Sequence, residues 1–255
     1  MSTTVGVVVP AFRPDVEELR RYVTAIKETL DPETVVIELD APKEGVKAQL
    51  SDLPAVVETV PYRRGKGAAI TAGFEVLETD VLAFADADGS TPADSLASVV
   101  DRVSSGTADL AVGSRRHPDS EVASHQTLAR RFLGDGFAWL AGSLLTVSLH
   151  DYQCGAKAIS AGGWEQVRSH LYEPGFAWDV ELAAIAGALD LRVAEVPISW
   201  EDRPGSTVSP VRDSVALFRA LLSARHRAKQ LSDDRLHTVI AAAREQPTAL
   251  IERDR

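Results

Sequence analysis

One cysteine, one methionine and only six lysines occur among the 255 residues of this chain. A lone thiol, Cys154, closes no intramolecular disulfide and builds no thiolate metal cluster, which suits a reducing compartment. The six histidines show no metal-ligand spacing, and none pairs with Cys154 as a base with its nucleophile. Long apolar runs are missing as well. The most continuous, residues 137–149, contains Gly142 and several hydroxyls and is shorter than the ~20 residues a spanning helix needs. No signal peptide is read, so the expectation is a cytoplasmic chain without a membrane-spanning segment. Basic residues are outnumbered 27 to 37, and no basic stripe with interleaved aromatics offsets the net charge of −10. Nucleic acid is therefore not an expected partner.

What the chain does have is alternation. A β-branched run at residues 5–9 ends at Pro10, and residues 15–30 carry apolar side chains at helical spacing. A second run, residues 35–39, ends at Asp40, and a third spans residues 55–60. After the turn Gly65-Lys66-Gly67 come a small-residue helix over 68–77 and a fully apolar run at 81–85. Strands alternating with helices at this spacing predict an α/β fold with a doubly wound, mostly parallel sheet and right-handed crossovers. Further on, the pattern predicts a short strand at 110–112, a helix ending near 145 and another over 178–188. A last strand is expected over 193–200 and an amphipathic helix after Pro210, with a tail that frays beyond Pro247. The organisation expected is one domain over residues 1–211 and a C-terminal amphipathic helical extension over 212–255.

The chemistry concentrates where the run at 81–85 stops, at Asp86-Ala87-Asp88-Gly89. Ligands of open α/β sheets bind beyond the carboxyl ends of the strands, so both carboxylates would face a crevice. Two carboxylates this close repel unless a cation lies between them or one is protonated. Mg²⁺ or Mn²⁺ suits them, since such ions take one or two protein carboxylates and complete their shell with water and phosphate oxygens. The plainer alternative is an acidic turn before a helix, with Asp88, Ser90 and Thr91 as caps and Pro92 at the first position. Other motifs also have two readings. Gly65-Lys66-Gly67 is an anion-binding helix start or simply a turn. The pairs Arg115-Arg116 and Arg130-Arg131 are phosphate forks or solvated surface. Asp179 and Glu181 are site residues or first-turn charges. After Pro210, Val211, Val215, Phe218 and Leu222 recur among Arg212, Arg219, Arg225, Arg227 and Lys229. That helix meets either anionic lipid headgroups or its own core.

Taken together, Arg64-Gly65-Lys66-Gly67-Ala68-Ala69, Ala85-Asp86-Ala87-Asp88-Gly89, Gly113-Ser114-Arg115, the block from Asp151 to Lys157 with Gln153 and Cys154, and Trp178-Asp179-Val180-Glu181-Leu182 resemble the family 2 glycosyltransferases. The likeness is strongest to the dolichyl-phosphate hexose synthases. It implies a GT-A fold, a nucleotide-diphospho-sugar donor (UDP-glucose, or GDP-mannose as the alternative) and a polyprenyl or dolichyl phosphate acceptor. It also implies a Mg²⁺ or Mn²⁺ ion and a place at the cytosolic face of a membrane, on the lipid surface or on a membrane protein. By the same resemblance, Pro10, Phe12, Asp40, Lys66 and Ala87 line the donor pocket, and Asp86 and Asp88 hold the metal. Arg115, Arg130 and Arg131 receive the acceptor phosphate, Arg203 and Ser206 close over the diphosphate, and Asp151, Gln153, Asp179 and Glu181 are further candidates. Two departures stand out. Arg13-Pro14-Asp15 replaces an expected Asn-Glu pair, and Thr207 stands where a lysine is usual. Two readings from other classes remain at this point. One is an aspartyl-nucleophile phosphatase, suggested by residues 86–90 and 134–136, and the other is a binding module without turnover.

Overall fold

The computed structural model describes residues 3–122, 128–201, 210–232 and 247–253; side chains of 128–134 and 210–214 are outside the description. The N-terminal half is a β-α alternation: β1 (Val5–Phe12), α1 (Val16–Leu30), β2 (Thr34–Asp40), α2 (Val46–Gln49), β3 (Val56–Val60), α3 (Lys66–Phe74), β4 (Val81–Ala85), α4 (Ala93–Ser104) and β5 (Leu110–Ser114). There follow β6 (Glu121–Val122), α5 (Leu128–Leu144), β7 (Ala156–Ser160), α6 (Ala161–Val167), α7 (Trp178–Ala188), β8 (Val193–Pro197), β9 (Ser199–Trp200) and α8 (Pro210–Leu231), with 3₁₀ turns at Arg168–His170 and Leu250–Glu252.

Seven strands form one sheet in the order β3-β2-β1-β4-β7-β5-β8. All its pairings are parallel except those of β7, which runs antiparallel to both β4 and β5. The expected mostly parallel α/β sheet is therefore what forms, with β7 added. The apolar runs hide a period of two. Val7, Val9, Ala83 and Ala85 face one core with Leu19, Val23 and Ile26 of α1 and Leu96 and Val99 of α4. Val8, Leu82 and Phe84 face the other, with Ile70 and Phe74 of α3, Trp164 of α6 and Trp178 of α7. Burial on both faces is why these strands contain no polar alternation.

Asp15 starts α1 by accepting the Glu18 N–H at 3.1 Å, so this residue of the departing Arg13-Pro14-Asp15 segment is a helix cap. Two expectations about the C-terminal half need correcting, and a third point, left open, is decided. The run 193–200 is not one strand: β8 ends at Pro197, and β9 pairs with β6 in a separate two-stranded sheet. Proline has no N–H to continue a ladder, so the chain changes partners there. On sequence the apolar set of α8 has two readings; its described side chains turn outward and not into the core. Val215, Phe218 and Leu222 are exposed, whereas Leu221, Ala224 and Ala228 are buried, the two alanines beside Ala184 of α7. Nor do the described residues beyond Pro247 fray. Ala249 and Leu250 are buried, the Leu250 N–H donates to the Leu171 carbonyl at 2.8 Å, and Arg253 donates to the Tyr172 carbonyl at 2.8 Å.

Candidate active site

The carboxyl end of β4 opens into Asp86-Ala87-Asp88-Gly89. The Asp86 N–H donates to the Gly155 carbonyl at 2.9 Å, which ties the turn to the segment that leads into β7. Asp86 is half-buried and Asp88 exposed. Asp88 Oδ1 accepts the Ser90 N–H at 2.9 Å and does not cap α4, whose N-cap is Pro92 with no side-chain bond. Gly89 turns with φ 64°, in the left-handed region, directly over the Tyr22 ring. Tyr22 is 5 % exposed and its hydroxyl finds no partner among the described residues. Burial first, then the charges of Asp86 and Asp88, push its phenol up.

Behind Asp86 lies a buried ionic chain. Lys66 Nζ is 2.9 Å from Asp86 Oδ1 and 3.1 Å from Asp179 Oδ2, and Lys157 Nζ is 2.6 Å from Asp179 Oδ1. Lys157 also donates to the Cys154 carbonyl at 2.8 Å. Both ammoniums sit over the Phe84 ring, at 5.1 and 5.6 Å from its centroid. Burial pushes the Lys66 ammonium down, and Asp179 and Asp86 more than reverse it, so Lys66 stays charged. Asp179 is thus tied to Asp86 through Lys66, a partner 113 positions away that no local pattern displays. Lys157, not anticipated as a site residue, belongs with it.

Lys66 is placed by the turn that opens α3. Gly65 has φ 100°, and a Cβ there would stand 2.4 Å from the Pro174 carbonyl oxygen; one on Gly67 would stand 2.5 Å from that of Glu173. The Ala68 N–H donates to the Pro174 carbonyl at 3.1 Å. These glycines therefore admit the 173–175 loop, and one N–H of the expected anion-binding helix start is already taken. Asp40, at the end of β2 opposite Phe12 of β1, is buried. Its carboxylate accepts the Arg64 N–H at 2.7 Å, the Arg64 Nε–H at 2.8 Å and the Gly65 N–H at 3.1 Å, while Arg64 Nη2 donates to Glu38. Asp40 therefore anchors the turn that carries Lys66. Phe12 is exposed beside it, with the guanidiniums of Arg63 and Arg13 at 4.3 and 5.2 Å from its centroid. Pro10 and Ala87 are partly buried at the same sheet edge.

Arg115 follows β5, so it shares this edge with Asp86, the two strand ends flanking β7. Its Nε and Nη2 donate to the two oxygens of Asp151 at 2.6 and 2.9 Å, and its plane lies 5.7 Å from the Trp200 ring. Asp151 also accepts the Gln153 N–H at 3.0 Å, while its own N–H donates to Glu195 at 2.9 Å. Burial pushes the Asp151 carboxyl up, but the Arg115 guanidinium outweighs that and holds it at about 2. Two of the three Arg115 side-chain nitrogens are so committed. Arg116 pairs with Asp135 of α5. Arg130 and Arg131 lie on α5 with side chains outside the described residues, as do Arg203 and Ser206 entirely.

Glu181 is the candidate that the structure removes from this cluster. Two residues further along α7, and so on another face of the helix, it is buried, accepts the Tyr172 and Glu173 N–H groups at 2.8 and 2.7 Å, and pairs with Arg227 of α8. It clamps the 172–175 loop to α8. Cys154 is also inert, because burial pushes its thiol up to about 11. Gly155 has a role that the sequence reading missed: a Cβ there would stand 2.0 Å from Asp86 Oδ2.

Among the described residues no group of three or more His, Cys, Asp or Glu side chains is placed to hold a metal. Asp86 and Asp88 are the hard oxygen donors described at the end of β4. This matches an ion that completes its shell from water and substrate phosphates and would be wrong for a closed structural site. The unpartnered Tyr22 hydroxyl under the same turn is consistent with an ordered water shell there. The acidic pair therefore fits Mg²⁺ or Mn²⁺.

Residues 6–150 match the family described as Glycosyl transferase family 2. The chain is 33 % identical over 160 residues to glycosyltransferase AglD of Haloferax volcanii, spanning 63 % of this chain and 25 % of that protein. It is 32 % identical over 180 residues to the dolichyl-phosphate beta-glucosyltransferase of Mus musculus, covering 67 % and 54 %. It thus spans about half the length of the glucosyltransferase. In fold it is similar to glucosyl-3-phosphoglycerate synthase of Mycobacterium tuberculosis crystallised with UDP, with a TM-score of 0.66, 18 % identity and coverage of 88 % and 80 %. The fold is thus that of the GT-A enzymes, and the chain belongs to glycosyl transferase family 2.

Proposed function

We propose that this chain transfers a hexose, glucose in preference to mannose, from a sugar nucleotide to a polyprenyl or dolichyl phosphate, with inversion at the anomeric carbon and with Mg²⁺ or Mn²⁺. The observation that carries the reading is the sharing of one sheet edge by Asp86, Asp88 and Lys66 with Arg115. One cluster holds metal and diphosphate, and the other is a fork for a second anion. A divalent ion at Asp86 and Asp88 would supply Lewis-acid stabilisation of the departing nucleoside diphosphate. The similarity to dolichyl-phosphate beta-glucosyltransferases supports glucose and the lipid acceptor.

A polyprenyl monophosphate is close to doubly ionised near neutral pH, with a second pKa of ~6 like other phosphomonoesters, so it needs no general base. The protein has to bring two anions together and orient them. Arg115 does so with a guanidinium whose plane is locked by Asp151 and steadied on Trp200. Asp40 and Arg64 fix the turn that presents Lys66. Phe12, with Arg63 and Arg13 against its ring, lines the place for the nucleotide. Attack from the Arg115 side on a sugar held at Asp86 and Asp88 displaces the diphosphate directly, converting an α-linked donor to a β-linked lipid phosphate sugar.

Reaching a lipid substrate needs a membrane-facing surface. No helix among the described residues is long and apolar enough to cross a bilayer. Instead Val215, Phe218 and Leu222 are exposed on one side of α8 together with Arg219, and Trp139 of α5 is 74 % exposed. Apolar side chains beside arginine, with a tryptophan nearby, suit the headgroup region at the cytosolic face.

The test is incubation of purified protein with labelled UDP-glucose or GDP-mannose and polyprenyl phosphate, with Mn²⁺ or EDTA, followed by solvent extraction. A glucosylated lipid that forms with Mn²⁺ and is abolished by EDTA is expected. Nucleotide turnover without a lipid product, or product formation indifferent to EDTA, would contradict the proposal.

A further inference from the structure

Lys66, Asp86, Lys157 and Asp179 together carry no net charge. Lys157 has its own anion in Asp179, and its Nζ is further held by the Cys154 carbonyl. Lys66 is shared, with Asp179 on one side at 3.1 Å and Asp86 on the other at 2.9 Å. It is buried except at the Asp86 end, where the carboxylate is 39 % exposed. A dication arriving at Asp86 would therefore meet an ammonium already on the same oxygen, and like charges at such range repel strongly. Lys66 has other partners: its second carboxylate contact is Asp179, and its ammonium lies 5.1 Å from the Phe84 ring centroid. A donor diphosphate brings the anion that the lysine would otherwise lose.

Resting on the function proposed above, we propose that Lys66 is a tethered counter-ion. It neutralises Asp86 before the donor arrives, stays anchored at Asp179, and moves its ammonium to the donor diphosphate as the divalent ion takes over Asp86. Metal and sugar nucleotide then bind as a unit, because neither alone repairs the charge balance that the other disturbs. Asp179 is in this sense a positioning residue, acting on the donor only through Lys66.

Free Mn²⁺ measured by electron paramagnetic resonance during titration of the full chain tests this, first with no nucleotide and then with UDP-glucose. Replacing Lys66→Met should tighten binding of Mn²⁺ alone roughly tenfold, since a competing cation is gone. The same variant should bind UDP-glucose roughly tenfold more weakly at saturating Mn²⁺, since a phosphate partner is gone. Lys66→Arg, which keeps the charge, should leave affinity for Mn²⁺ alone near that of the unmodified chain. A purely structural lysine would weaken both ligands together. Unchanged or weaker Mn²⁺ binding in Lys66→Met, with its melting curve intact, overturns the counter-ion role while leaving the transferase reading standing. Lys66→Gln serves for the same comparison if the methionine variant does not fold. Failure of the unmodified chain to bind Mn²⁺ with UDP-glucose at all takes both down.

Discussion

The Asp86 carboxylate fills the space that a side chain on Gly155 would need: a methyl group on that glycine would stand 2.0 Å from Oδ2. The contact joins β4 to the segment before β7, and the backbone repeats it through the Asp86 N–H and Gly155 carbonyl at 2.9 Å. Gly155→Ala must push the carboxylate aside, because no real Cβ tolerates that distance. The expected result is a folded protein whose turnover falls at least ~100-fold, as misplacement of about 1 Å in a reacting group can cost. Circular dichroism and the lipid-product assay check the two halves of this expectation.

Asp88 is exposed, and its side chain accepts the Ser90 N–H of its own turn. Asp88→Asn keeps that acceptor and removes a metal-binding charge. The melting temperature should hold while activity drops by roughly 100-fold or more, a loss of several kcal/mol of charge stabilisation. Undiminished turnover would defeat the assignment of the acidic pair.

Asp151 locks the Arg115 fork, and its carboxyl is held at about 2 against an ordinary value of 3.8. A depressed folded-state value means that the stabilisation is fully present above about pH 4 and is lost as pH falls toward 2. The pair should therefore remain intact throughout the neutral range, contributing about 2 kcal/mol that disappears only in strong acid. Asp151→Asn frees the guanidinium plane. The KM for polyprenyl phosphate should rise roughly tenfold with little change for the donor. Initial-rate kinetics with each substrate varied in turn would show it.

Glu181 and Arg227 meet in a buried pair between α7 and α8. Burial raises the Glu181 carboxyl above its usual range, while Arg227 and two backbone N–H groups pull it back. Arg227→Met removes the strongest of these counter-influences, stranding a buried charge at a cost of about 3–5 kcal/mol. A carboxyl raised in the folded state is stabilising when protonated and loses that as pH rises through its folded value. The deficit should thus be small near pH 4 and larger at pH 8. Urea denaturation at the two pH values measures it, and an equal deficit at both would contradict the account.

The exposed face of α8 predicts vesicle binding. Phe218→Ser with Leu222→Ser should lower co-sedimentation with anionic vesicles at least ~10-fold while leaving binding of UDP-glucose unchanged. Equal sedimentation of the variant would place the membrane contact elsewhere.

Much of this was legible before any coordinates. The runs at residues 5–9, 35–39 and 81–85 read as strands because burial on both faces removes every polar position, and Asp86 and Asp88 stand out where such a run stops. What escaped was long-range. β7 contains Lys157, and a charged side chain in a five-residue run hides a strand until its partner Asp179 is known. Asp179 and Glu181 look alike on the sequence as first-turn acids of one helix. Only the packing of α3 and β7 on one side and α8 on the other gives them different tasks. α8 has two apolar stripes, and periodicity alone does not say which meets the core.

The central claim is that the acidic pair at the end of β4 holds a divalent ion against a donor diphosphate. Crystals grown with Mn²⁺ and UDP-glucose, measured at the manganese absorption edge, test it most directly. The account predicts an anomalous peak within bonding distance of Asp86 or Asp88 and of the diphosphate oxygens. Nucleotide bound with no such peak, or with the pair turned away from it, would contradict the account.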